Sequence, residues 1–133
     1  MESIQRLSPE GLISSPAFSH VAIVPAGAAT IYVGGQNAVA ADGSLVGGDD
    51  VAAQSMWAME NAKTALAAAG AGLGDVVQWT VLIVAGADLR AAYGAIAGQL
   101  ASDEPPLVTA AQVAGLGVPG ALVEISAVAA VLP

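Results

Sequence analysis

Cysteine is absent from this 133-residue chain, histidine occurs once, and lysine and arginine together number three. Without cysteine there can be no disulfide, no thiolate metal site and no cysteine nucleophile. A lone histidine, His20, leaves no multi-histidine metal cluster within one chain, and no serine–histidine–acid set can be built around it. No metal and no cofactor is therefore expected. Three scattered cations, Arg6, Lys63 and Arg90, stand against 11 acids, for a formal net charge of −8. Nucleic-acid binding needs Lys/Arg clusters to meet phosphates, so nucleic acid is not an expected partner. Phosphate-cradling loops are missing too: the chain contains neither GxxxxGK[ST] nor a strand–GxGxxG–helix unit.

Apolar residues are what the chain has in excess. They make up 56% of it, charged residues only 11%, and mean hydropathy is +0.71. A domain of this size cannot hide so much apolar surface alone, and large exposed apolar patches mark interfaces, so an oligomer is expected. The opening MESIQRLSPE lacks the basic and apolar regions of a secretory leader, and a cytoplasmic location follows as the expectation. The run from Leu107 to Pro133 is long enough to cross a bilayer and carries one charge. Gln112, Pro119, Glu124, several glycines and the lack of flanking cations argue against a span, so no membrane partner is expected.

The residue pattern predicts one domain over residues 1–133. Residues 1–16 look like an arm or short edge strand. His20–Val24 and Thr30–Val33 are strand candidates, the second running into Gly34-Gly35-Gln36 and continuing after a bulge through Asn37–Ala41. Asp42-Gly43 is a turn signal. A helix capped by Asp49 or Asp50 runs to about Ala69 and ends at Gly70. Val76–Val84 is the strongest strand. Asp88 caps a second helix, Leu89–Ala101, which Pro105-Pro106 closes off. Leu107–Val113 and Leu122–Val131 are two further strands that the Gly/Pro-rich Gly115–Gly120 would join at a turn. The expected architecture is α+β: one mixed β-sheet with two helices packed on one face, the other face wanting a partner.

Few residues stand out chemically. Glu124 sits in the middle of an apolar strand, where an unpaired buried charge is expensive; either it points to solvent on an alternating strand or it serves a pocket. Asp49-Asp50 and Asp103-Glu104 read as helix-end residues. Met56, Trp57 and Met59 read as packing residues at core-like helical spacing, and Arg90 as a solvated cation.

Several segments, in order, carry a resemblance. Pro16–Val21 (PAFSHV) is similar to a "P-x-YSQA" segment with Phe18 at its aromatic position. Ile31–Gln36 (IYVGGQ) resembles "lyvSGQ". Asp50–Gln54, Glu60-Asn61 and Ala67–Gly70 resemble "dvaaQ…eNvk…LeaAGa". Leu73–Val77 resembles "l.DVVk", and Leu122–Ala129 resembles the closing "lvEIeAvA". Together they resemble the RidA/YjgF family of reactive-intermediate (enamine/imine) deaminases. The resemblance implies a chorismate-mutase-like α+β fold, a homotrimer with a barrel-like assembly, and a ligand pocket between neighbouring subunits. It implies that Glu124 is the water-handling catalytic residue. It also places Phe18, Gly34, Gly35, Tyr93, Leu107, Val108 and Thr109 at substrate-binding positions.

The sequence departs from the family at the residue that matters most. Active members carry an arginine in a "P-x-R-[ST]" segment that grips the substrate carboxylate. Here the run is Pro106-Leu107-Val108-Thr109, with Val108 at the arginine's place. Loss of that charge-assisted pair is worth roughly 2–4 kcal/mol. Gly34 stands for the family's serine and Tyr93 for its second-helix asparagine. The resemblance thus implies a protein that is not a competent 2-imino-acid deaminase and whose pocket takes a small neutral or cationic apolar ligand. Two alternatives stay open: a hydrolase acting on a neutral C=N or C=O carbon through Glu124, and a protein-interaction trimer without catalysis. A further reading has Arg90, near the start of the helix that carries Tyr93, reaching into the cleft in place of the lost arginine.

Overall fold

A computed structural model describes residues 3–133. The elements are β1 (Gln5–Leu7), β2 (Val21–Ile23), β3 (Ala29–Gln36), α1 (Val51–Ala68), β4 (Val76–Val84), α2 (Leu89–Gly94), α3 (Ala97–Leu100), β5 (Leu107–Val113) and β6 (Val123–Val131). A single 3₁₀ turn, Leu73–Asp75, leads into β4. No helix among the described residues is long and apolar enough to cross a membrane.

The main sheet has the order β3-β6-β4-β5. β6 runs antiparallel to both of its neighbours, while β4 and β5 are parallel. The chain therefore lays down β3, crosses over through α1 to β4, crosses again through α2 and α3 to β5, and finally inserts β6 into the gap between β3 and β4. This corrects two sequence-based expectations. β5 and β6 are not partners across a turn, because β4 lies between them. Its end holds both flanks, the amide of Val84 donating to the Leu122 carbonyl at 2.9 Å and that of Ala85 to the Val113 carbonyl at 2.8 Å. The sheet is also not single: β1 and β2 form a separate antiparallel pair.

α1 covers the sheet through a stripe of Val51, Gln54, Ser55, Ala58, Met59, Ala62 and Leu66, all buried. Spacings of three and four put these on one side, and the alanines let the helix sit close to β6. Met56 and Trp57 fall outside the stripe and are exposed, against the packing role expected for them. The Asp50 carboxylate accepts from the Ala53 amide at 3.2 Å at one end. At the other, Gly70 (φ +75°) lets the Gly70 and Ala71 amides reach back to the carbonyls of Ala67 and Leu66 at 3.0 and 2.9 Å. The second helix is broken rather than continuous. Gly94 and Gly98 weaken it by about 1 kcal/mol each relative to alanine. The break at Ala95-Ile96 turns Ile96 and Leu100 into the core beside Trp79, Val81 and Ile83.

Residues 37–41 do not prolong β3. Val39 instead makes an isolated bridge to Leu45 around the Asp42-Gly43 turn. There Asp42 accepts from the Ser44 hydroxyl at 2.6 Å and its amide at 2.9 Å, contacts that hold its carboxyl below the usual range.

Candidate functional site

Alternation along β6 builds the site. Val123, Ile125, Ala127 and Ala129 are buried against the helices, while Glu124, Ser126 and Val128 take the opposite face and are half-buried. Strand register carries this face across the sheet in rows. Glu124 lies beside Leu82 and Ala111, Ser126 beside Thr80 and Thr109, and Val128 beside Gln78 and Leu107. Gln78 Nε2 donates to Thr109 Oγ1 at 3.4 Å. Tyr32 on β3 pairs with Val128 and is 79% exposed. A shallow groove of about 220 Å³ runs over this face between Tyr32, Gly34, Gln78, Thr80, Ser126 and Val128. No helix among the described residues covers it.

The glutamate meets the sheet at a bulge. Register between β3 and β6 shifts between Val33 and Gln36, so that Gly34-Gly35 bows out. A Cβ at Gly35 would lie 2.5 Å from Glu124 Cδ and 2.6 Å from Oε2. The Glu124 carboxylate thus occupies the space that any side chain at position 35 would need, whereas Gly34 has no neighbour within 4 Å of such a Cβ. Gly35 is not in the left-handed region, so contact with the Glu124 side chain and not backbone conformation is what favours glycine. Asparagines fasten the far side of the bulge. Asn37 Nδ2 donates to the Val123 carbonyl at 2.9 Å, and Asn61 Nδ2 donates to the carbonyls of Asn37 and Val39, both at 2.9 Å.

Among the described residues no cation pairs with this carboxylate. Among the described residues the one ion pair is Lys63–Glu60, at 3.2 Å on the surface of α1. Arg6 Nη2 donates to the carbonyls of Gly74 and Val76 at 2.9 and 2.8 Å. Arg90 is exposed on α2, whose buried residues pack in the helical layer on the other side of the sheet from Glu124. Within one subunit Arg90 does not stand in for the missing arginine.

The remaining predicted residues fall into separate groups. Leu107 and Thr109 share the Glu124 face but lie two strands away, about 10 Å at ordinary strand spacing. Val108 points the other way, beside Trp79, and packs against the core. Tyr93 also packs on that core side, where burial pushes its phenol pKa up. Phe18 lies in the segment after β1, edge-on to the His20 ring at 5.4 Å. This segment is tied to the start of β5 by the Ser19 amide, which donates to the Pro106 carbonyl at 3.1 Å. His20 Nε2 lies 2.7 Å from the Ile13 carbonyl and so carries its proton there. The sequence reading missed Thr80, Ser126 and Leu82 on the Glu124 face. Their signal was the alternation of β4 and β6, which becomes informative only once the register between the strands is known.

A helix-backed sheet of order β3-β6-β4-β5, with a glutamate seated over a glycine bulge on its open face, defines a RidA-like α+β domain. The chain belongs to the family described as endoribonuclease L-PSP, whose model matches residues 12–131. It is 31% identical to YyfB from Yersinia pestis, a protein of unknown function in the conserved Rid family. The TM-score is 0.84, with 98% of this chain and 100% of that one covered. A Mycobacterium tuberculosis member of the YjgF/YER057c/UK114 family is 28% identical, with a TM-score of 0.64 and 97% and 100% coverage. The Escherichia coli YjgF gene product is 29% identical over 80% of this chain and 83% of its own, with a TM-score of 0.64. No curated protein matches the chain.

Proposed function

We propose that the chain forms a homotrimer whose subunit clefts bind a small neutral or cationic, largely apolar molecule, and that it does not hydrolyse 2-imino acids as arginine-bearing relatives do. The observation behind this reading is the lone carboxylate. Among the described residues no guanidinium or ammonium group pairs with Glu124, and the family's arginine position holds Val108, half-buried on the opposite face of the sheet. An anionic substrate would meet Glu124 with no counter-charge in a chain of net charge −8, and like charges brought together disfavour binding. A neutral or protonated amine meets neither obstacle. The trimer is supported by geometry as well as by the family. Val108 and Glu124 lie on opposite faces of one sheet, so a pocket that uses both positions must draw them from two subunits. Cleavage of RNA, which the family's description suggests, fits poorly with three cations of which two are engaged within the chain.

A second reading is favoured by the placement of the same carboxylate. Half-buried over Gly35 and without an ion-pair partner, Glu124 is free to act as a general base on a water attacking a neutral C=N or C=O carbon.

The test is a coupled assay of 2-aminoacrylate hydrolysis on the native protein and its Val108→Arg and Glu124→Gln variants. The native protein should be silent, and Val108→Arg should gain turnover that Glu124→Gln removes again. Native hydrolysis at the rate of an arginine-bearing relative would overturn the proposal. For the second reading, Glu124→Gln should abolish turnover of neutral imines.

A further inference from the structure

Arg6 is the one cation of the chain that is half-buried without a carboxylate partner among the described residues, and it stands between two cavities. One, of about 470 Å³, lies between Arg6, Trp79, Leu100 and Pro106 and is rimmed by Asp103 and Glu104. The other, of about 410 Å³, also has Arg6 and Glu104 in its wall. Nη2 is fixed by two backbone carbonyls and Nε is shut away from solvent without a partner. Nη1 has no bond within the described residues and is not among the buried polar atoms. The guanidinium is therefore held in orientation by one nitrogen while another remains available.

The geometry points to the larger cavity as a binding site for a free α-amino acid with an apolar side chain, separate from the Glu124 site. Its three kinds of wall match the three parts of such a molecule. The carboxylate would accept from Arg6 Nη1, a charge-assisted bond in a partly desolvated position. The ammonium would donate to Glu104 or Asp103 at the rim, and the side chain would lie against Trp79, Leu100 and Pro106. A simple carboxylate would be repelled by the two rim acids and by the net charge of −8. A simple amine would leave Arg6 without a partner. Only a zwitterion satisfies both signs, so charge complementarity selects the class.

The probe is L-leucine, titrated against the full-length protein by calorimetry. Alongside it run 4-methylpentanoate, which lacks the amine, and 3-methylbutylamine, which lacks the carboxylate. L-leucine should bind saturably and each truncated analogue roughly tenfold or more weakly, the usual cost of losing a hydrogen bond to a charged group. Arg6→Gln and Glu104→Gln should each weaken L-leucine by a similar factor, while Arg90→Gln leaves it unchanged. Because Arg6 also ties β1 to the Gly74–Val76 backbone, its variant counts only if its thermal unfolding shows a folded protein. Glu104, on an exposed loop, and the analogue series decide the matter if it does not. No saturable L-leucine binding in the millimolar range, or equal binding of leucine and 4-methylpentanoate, would overturn the proposal and leave Arg6 as a structural strut. The Val108→Arg assay reads the other site, so failure of one proposal is distinguishable from failure of the other.

Discussion

At the scale of single residues, the contact between Gly35 and Glu124 is the most specific feature of the open face. An alanine at position 35 has an allowed backbone, so its cost is the clash with the Glu124 carboxylate alone. The atoms met belong to a flexible, half-buried side chain that can turn aside, so the cost is that of a displaced rotamer, about 1 kcal/mol. In a Glu124→Ala background the penalty should fall to near zero, because the obstacle is gone. Urea unfolding of the two single variants and the double variant measures this coupling. An unchanged Gly35→Ala penalty in the double variant would mean that glycine is needed for another reason. The sequence exposed both partners, Gly35 through its motif and Glu124 through its charge in an apolar strand. It could not expose their contact, which arises from a register shift between strands about ninety residues apart in the chain. For the same reason Val108 and Glu124 read as neighbours in a site, although a single subunit puts them on opposite faces.

At the scale of elements, β6 is the strand on which the open face depends, and its start is fixed by a buried amide rather than by packing. Gln54 on α1 is fully buried. Its Nε2 donates to the carbonyls of Gly48 and Gly120 at 2.6 and 3.1 Å, and its Oε1 accepts from the Leu122 amide at 2.8 Å. One side chain thereby joins the loop before α1 to the loop that enters β6. Gln54→Leu keeps the volume but strands two carbonyls and one amide, and should cost roughly 3 kcal/mol at about 1 kcal/mol or more per group. Denaturant unfolding checks the cost, and amide exchange at Leu122 and Val123 should quicken if the strand entry loosens. A loss well under 1 kcal/mol would show that water replaces the amide and that packing alone holds β6. Local signals had made most elements readable: caps at Asp50 and Asp88, the stop at Gly70 and the β-branched run of β4. What local signals could not give is order. A Gly/Pro-rich link between two apolar strands reads as a hairpin. Whether a third strand separates them depends on β4, which was laid down earlier in the chain. The broken second helix follows the same logic, since burial of Ile96 and Leu100 outweighs helical continuity across two glycines.

At the scale of the whole molecule, apolar excess and an uncovered sheet face are two views of one property. The chain exposes 6999 Å², somewhat above the about 6,300 Å² expected of a compact monomer of its mass. Part of the excess is Tyr32 on the edge strand β3 of the open face, and part is Leu12, Ile13, Val21 and Ile23 in the separate β1–β2 segment. If the sheet faces of neighbouring subunits close on one another, Tyr32 becomes buried where a charge would be intolerable. Tyr32→Glu should then convert the protein from three times its chain mass to a single 12.9 kDa chain, as read by light scattering after gel filtration. An isolated charge forced into an interface without a partner costs several kcal/mol, enough to dissociate all but the tightest assemblies, while in a monomer the same substitution at an exposed position is nearly free. A native protein that elutes as a monomer would remove the trimer and, with it, any cleft shared by Glu124 and Val108. A variant that stays trimeric would instead place the contact elsewhere, on the β1–β2 segment, and leave the open face lined by Thr80, Thr109 and Ser126 accessible to solvent within the assembly.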